Sequence, residues 1–152
     1  MSTIDDYLQE LAHQAGIRIE YARLRHGRDG ESYTERKIIR LRPGMPARLH
    51  RCVLAHELAH HAFGDVPSQF GPVHAKQERR AEEWAALRLI SPADYRHVEE
   101  LHAGHVGAMA VELGVMRSIV EAFQAVLLRL GDTVYVRPKM GAGNWAHRED
   151  VA

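Results

Sequence analysis

The five residues His56-Glu57-Leu58-Ala59-His60 constrain the fold of this sequence more than any other feature. Residues four apart lie one turn above each other on one face of an α-helix. Two imidazoles so placed can bind one metal ion, and the glutamate beside the first can reach a water on that ion. A helix is therefore required at this point. Two histidines do not complete a catalytic metal site, so a further ligand has to come from another part of the chain. The motif is short and the chain holds 11 histidines. Composition alone would produce the pattern in roughly one such sequence in fifteen, so its neighbourhood has to supply support.

One route to a third ligand is the close spacing H-E-x-x-H-x-x-G-x-x-H. Here Phe63 stands three residues after His60 and Val66 six after, and Gly64 is one residue out of register. That route fails. The other takes a carboxylate from the next helix. Glu78 and Glu82 are four apart and share a face with the small residues Ala81 and Ala85, which allow a close helix–helix approach. An intervening loop of about ten residues permits an antiparallel return. Glu78 then becomes the third ligand, and Glu82, one turn later, accepts a hydrogen bond from a ligand histidine and fixes its tautomer.

The rest of the chain reads as a mostly helical α+β domain. A first helix is expected over residues 3–15, with Ile4, Leu8 and Leu11 on one stripe and Gly16 at its end. Residues 17–21 alternate as a strand, and residues 25–30 are turn material. A second strand, antiparallel to the first, is expected over residues 32–41. The motif helix should run over 47–63 and stop at Gly64. A loop over 65–74 leads to a helix over 75–90, and Ser91-Pro92 opens the next. Short helices at 92–101 and 106–113, a longer one at 116–130 and a short strand at 133–136 complete the reading. Residues 1–138 form one domain and 139–152 a flexible tail.

Twenty basic and twenty acidic side chains cancel, so no overall field draws the chain to nucleic acid or membrane. No apolar run approaches a membrane span, and the N-terminus lacks a signal-peptide pattern. Cys52 is the sole cysteine, which fits a reducing compartment. A cytoplasmic location is expected.

The motif helix, followed by Glu78, Ala81, Trp84, Ala85 and Ala86 and by Leu89-Ile90, resembles the ImmA/IrrE family of zinc metallopeptidases. The lead-in over residues 51–55 is similar too, and the likeness covers roughly residues 4–137. Two departures stand out. Glu82 occupies a position where Asn or Asp is usual, and Pro92 comes one residue late.

The resemblance implies a zincin-like fold, with His56, His60 and Glu78 holding Zn2+ and Glu57 as general base. It implies peptide hydrolysis in which zinc acidifies its water and polarises the scissile carbonyl, with Glu57 carrying the proton to the leaving amine. It also implies limited intracellular proteolysis of a protein partner, a helix-turn-helix repressor of a phage, mobile element or stress response. His61, His74, Tyr95 and Tyr135 are open candidates for a donor to the oxyanion. The strand at 36–41 is the expected edge for pairing with an extended substrate.

Other readings were weighed. Cys52, one turn before His56, is read as a core residue, because ligands at i, i+4 and i+8 cannot converge on one ion. His97, His102 and His105 are read as surface histidines, and Trp84 as core. A zinc-binding regulatory protein without catalysis is one alternative. Another is a DNA-binding module, since residues 110–120 fit A-x-x-L-G-V-x-x-x-x-V, a helix-turn-helix pattern. The neutral charge and the apolar run after Glu121 argue for packing of two helices around Gly114 instead, with no direct nucleic-acid contact.

Overall fold

The computed structural model describes residues 3–66 and 70–130. The expected strand at 133–136, Tyr135 and the expected tail lie outside the described residues. The chain runs α1 (Ile4–Gln14), β1 (Arg18–Tyr21), a 3-10 turn (Arg25–Gly27), β2 (Gly30–Tyr33), β3 (Ile38–Leu41), α2 (Ala47–Phe63), α3 (Gly71–Leu89), α4 (Pro92–Leu101), α5 (Val106–Leu113) and α6 (Arg117–Leu130). The motif helix and the two short helices after Ser91 have the expected bounds. α3 begins four residues earlier than expected, at Gly71, with Pro72 accommodated in its first turn.

Local chemistry explains most of the boundaries. Thr3 and Asp6 form a capping box at the start of α1, each side chain meeting the other's backbone N–H. The Ser91 hydroxyl caps α4 by accepting the Asp94 N–H at 3.1 Å. Gly64 closes α2 in the left-handed conformation, φ +65°. There its own N–H reaches the His61 carbonyl, and the Asp65 N–H reaches that of His60 at 2.9 Å.

The sheet corrects two expectations. Residues 32–41 are not one strand: Thr34-Glu35-Arg36-Lys37, four polar residues without alternation, form a turn that divides them, with Lys37 at φ +54°. The sheet is also mixed. Its order is β1-β3-β2, with β3 parallel to β1 and antiparallel to β2. β3 is consequently central and apolar, with Ile38, Ile39 and Leu41 buried, and its ladder groups are committed on both sides. The 36–41 segment therefore cannot be the pairing edge. The edge strands are β1 and β2.

One core joins the sheet to the helices: Leu8 from α1, Ile39 and Leu41 from β3, Leu54 and Leu58 from α2, Met109 from α5, and Ile119, Val120 and Phe123 from α6. Burying each large side chain contributes about 1.5–3 kcal/mol. α2 and α3 pack against each other, and both bury small residues. Ala55, Ala59, Ala81 and Ala85 are all fully buried, which brings the two axes close. β2 lies as tightly on α2 from the other side. A Cβ at Gly30 would stand 2.7 Å from Val53 Cγ1 and 3.0 Å from Glu57 Cγ, so only glycine fits. No helix among the described residues is long and apolar enough to cross a membrane.

Candidate metal centre

The packing of α3 on α2 sets the histidine face of α2 against the glutamate face of α3. His56 Nε2 and His60 Nε2 lie 3.1 Å apart. Glu78 Oε2 stands 2.7 Å from the first and 3.0 Å from the second. The outward ring nitrogens also meet carboxylates. His56 Nδ1 is 2.8 Å from Glu82 Oε1, and His60 Nδ1 is 2.8 Å from Asp65 Oδ2. The longer arm of Glu82, relative to Asn or Asp, thus still reaches its histidine.

The donor set itself indicates what belongs in the middle. A carboxylate only accepts hydrogen bonds, so each Nδ1 carries a proton and donates it outward. Both Nε2 atoms then present lone pairs, to each other and to the Glu78 carboxylate. Three acceptors converging at about 3 Å repel unless a cation sits among them. Two imidazoles and a carboxylate are the ligand types of a three-residue catalytic zinc site, and His56, His60 and Glu78 are the one such group among the described residues. Without a metal ion, a proton plays the part. Burial opposes charge on His56, but the hydrogen bonds it donates to Glu78 and Glu82 outweigh it and push the imidazole up to about 10. Burial likewise opposes charge on His60, and Glu78 and Asp65 raise it nonetheless. The hydrogen bonds from His56 and His60 hold Glu78 far below the usual carboxylate range.

Asp65 was read as mere loop, and the structure gives it a specific place. The left-handed turn at Gly64 sends the chain back along α2, which delivers the Asp65 carboxylate to His60. Arg80 from α3 closes on its other oxygen, and Thr34 Oγ1 donates to the Asp65 main-chain carbonyl at 2.6 Å. The signal was present in the sequence: an aspartate directly after a helix-stopping glycine, five residues beyond a ligand-type histidine.

Ser32 was also missed. Gly30 and Ser32 alternate onto the α2 side of β2, and Ser32 Oγ lies 2.6 Å from Glu57 Oε2 and 3.0 Å from the Glu57 carbonyl oxygen. Glu57 is one of two buried charged or polar side chains among the described residues, the other being Asp65. Burial raises the Glu57 pKa, and the Ser32 hydrogen bond together with His56 and His60 pulls part of that shift back.

A cleft of about 870 Å³ opens beside these groups, walled by residues 28–36, by Glu57, His60 and Asp65, and by His74, Gln77 and Glu78. Among the oxyanion-donor candidates, His74 lines it, with Nε2 3.8 Å from Glu78 Oε1. His61 does not: its Nε2 meets the Ile38 carbonyl at 3.2 Å, under the sheet. Tyr95 is a core residue, tilted against Phe123 and accepting from Gln124 at 3.1 Å.

The remaining expectations resolve simply. Cys52 is buried, its sulfur accepting the Met116 N–H at 3.2 Å. His105 caps α5 and His102 lies 3.4 Å from Glu112. Trp84 packs against the core. The 110–120 pattern encodes a tight corner, with Val115 and Val120 buried and Gly114 at φ +70°. A Cβ on Gly114 would meet Arg51 Nη1 at 2.6 Å.

An H-E-x-x-H helix packed on a second helix that brings a glutamate to the same point places the molecule among metallopeptidase-type folds. The family can be stated. The chain belongs to the peptidase family of the IrrE N-terminal-like domain, whose model matches residues 12–123. Neither a curated protein nor a solved structure matches the chain.

Proposed function

We propose that the chain is a zinc metalloendopeptidase in which His56, His60 and Glu78 hold the ion and Glu57 is the general base. The convergence of three lone-pair donors on one point, each imidazole backed by its own carboxylate, carries this reading. Bound there, zinc supplies Lewis acidity that polarises a peptide carbonyl and lowers the pKa of water. The protein does the rest. Glu57, raised by burial, is poised to take a proton from water and return it to the leaving amine. Ser32 donates to one oxygen of that carboxylate and so helps to orient it. The role of donor to the developing oxyanion is assigned in this reading to His74, which lines the cleft.

An extended substrate would lie along β2, whose outer edge runs beside the cleft, and pair with it as an added strand. Family membership supports a protein substrate cut at a limited number of bonds. A helix-turn-helix repressor controlling a phage, mobile element or stress response is the partner we propose, acting in the cytoplasm. The test is cleavage of candidate repressors by the zinc-loaded chain and by Glu57→Gln. Loss of about 10²–10⁴-fold in kcat is expected for the variant with zinc content unchanged. Undiminished cleavage would refute the role given to Glu57.

A further inference from the structure

Asp65 is held through every polar group it has. Its N–H meets the His60 carbonyl at 2.9 Å, and one carboxylate oxygen meets the His60 ring at 2.8 Å. Arg80 takes the other carboxylate oxygen. The main-chain carbonyl remains, and Thr34 Oγ1 donates to it at 2.6 Å. The other ties come from α2 and α3, the helices that carry the metal ligands. Thr34 alone reaches Asp65 from the sheet layer.

Strand alternation brings it there. Gly30 and Ser32 face α2 from β2, Gly30 by close approach to Val53 and Glu57, and Ser32 by its bond to Glu57. Thr34, two residues further, continues that side where the strand ends. It meets the chain just after α2 has stopped at Gly64. Past that stop, helical hydrogen bonding no longer fixes the backbone. With the Asp65 N–H anchored on one side and its C=O on the other, the Cα and the carboxylate it carries are set in place. Gln77 pins the next carbonyl, that of Val66, from an exposed position at 3.1 Å, and the Arg80 side chain is 41% exposed. Water competes with both. The Thr34 bond is partly buried.

Resting on the peptidase reading of this centre, we infer that Thr34 is a positioning residue for His60: through the Asp65 carbonyl, its hydroxyl fixes the carboxylate that orients the imidazole. Thr34 also lines the cleft, as His60 and Asp65 do. A wall of the cleft and a ligand of the centre are thereby tied together.

The test reads the two histidine rings of the metal-free chain separately. Thr34→Val keeps the shape of the side chain and removes the hydroxyl, and Thr34→Ser keeps the hydroxyl. Exchange of each ring's Nδ1 proton with water is followed by NMR of the isotope-labelled protein. In Thr34→Val, exchange at His60 is expected to be about 3–10-fold faster. Exchange at His56, held by Glu82, should be unchanged, and Thr34→Ser should restore wild-type exchange at His60. Zinc affinity, by competition with a chromophoric chelator, should fall by a similar factor in Thr34→Val and recover in Thr34→Ser. An unaltered His60, equal acceleration at both rings, or no recovery in Thr34→Ser would overturn the role of Thr34. Should Thr34→Val not fold, Thr34→Ala is read in the same way.

The wild-type chain with zinc is assayed for peptide cleavage alongside. The expected ring and affinity results without cleavage would refute the peptidase reading and leave Thr34 standing. Cleavage with an unaltered His60 in Thr34→Val would do the reverse.

Discussion

Each histidine of the centre is held at its outward ring nitrogen by a carboxylate. Glu82 and Asp65 take the Nδ1 protons, and that choice of tautomer is what leaves both Nε2 atoms free to face Glu78. Asp65 has the more constrained position. It is buried, it is the next residue after the left-handed Gly64, and Arg80 and Thr34 restrain it from α3 and from the β2–β3 turn. Asp65→Asn keeps the shape but removes the charge that orients His60 and leaves Arg80 with a neutral partner. Zinc affinity is expected to fall about 10–100-fold, measured by competition with a chromophoric chelator. Affinity equal to wild type would show that Asp65 supports the loop and not the ligand.

At the scale of elements, the site is a consequence of two helix faces and the small residues between them. Ala55 and Ala59 on α2 and Ala81 and Ala85 on α3 are all fully buried, and such small side chains allow a close approach of the helices. Ala85→Leu inserts a branched side chain into that contact, at a cost of about 1–3 kcal/mol. It should also draw Glu78 and Glu82 away from α2. The expected result is a loss of zinc affinity in a protein that retains its helical circular dichroism. Unchanged affinity would mean that the two faces are not held by this contact.

These faces were legible in the sequence because a helix places chemistry at regular intervals. His56/His60 and Glu78/Glu82 share the same spacing of four, and the alanines lie at compatible positions. The sheet was less legible. Four polar residues between Tyr33 and Ile38 look as much like an exposed strand as like a turn, and one missed turn reverses the direction of the strand after it. Parallel pairing of β1 with β3 is non-local and leaves no mark in either strand alone. For the same reason Ser32 and Asp65 escaped notice. Each meets its partner through a backbone reversal, not through helical periodicity.

Across the whole molecule, Arg51 ties the N-terminal helix to the α5–α6 corner. Its guanidinium meets both oxygens of Asp5, at 2.7 and 2.9 Å, and the Gly114 carbonyl at 2.6 Å. The hydrogen bond from Arg51 holds the Asp5 carboxyl below its ordinary value. A carboxylate depressed in the folded state contributes stability fully above its unfolded pKa, about 3.9, and loses it as pH falls through the lower folded value. Asp5→Asn should therefore be less stable than wild type at pH 7, and the difference should narrow as the pH falls below about 4. Urea unfolding at the two pH values checks this. A difference of the same size at pH 3 as at pH 7 would place its origin in packing rather than in the ion pair.

From α2 and α3, His56, His60 and Glu78 converge on one point, the position proposed for zinc. Zinc stoichiometry of the purified chain and of Glu78→Ala, measured by inductively coupled plasma mass spectrometry after dialysis against a weak chelator, addresses it most directly. One ion per chain in the wild type and far less in the variant, with both proteins folded, is the predicted result. Equal retention of zinc in Glu78→Ala would contradict the assignment of the third ligand.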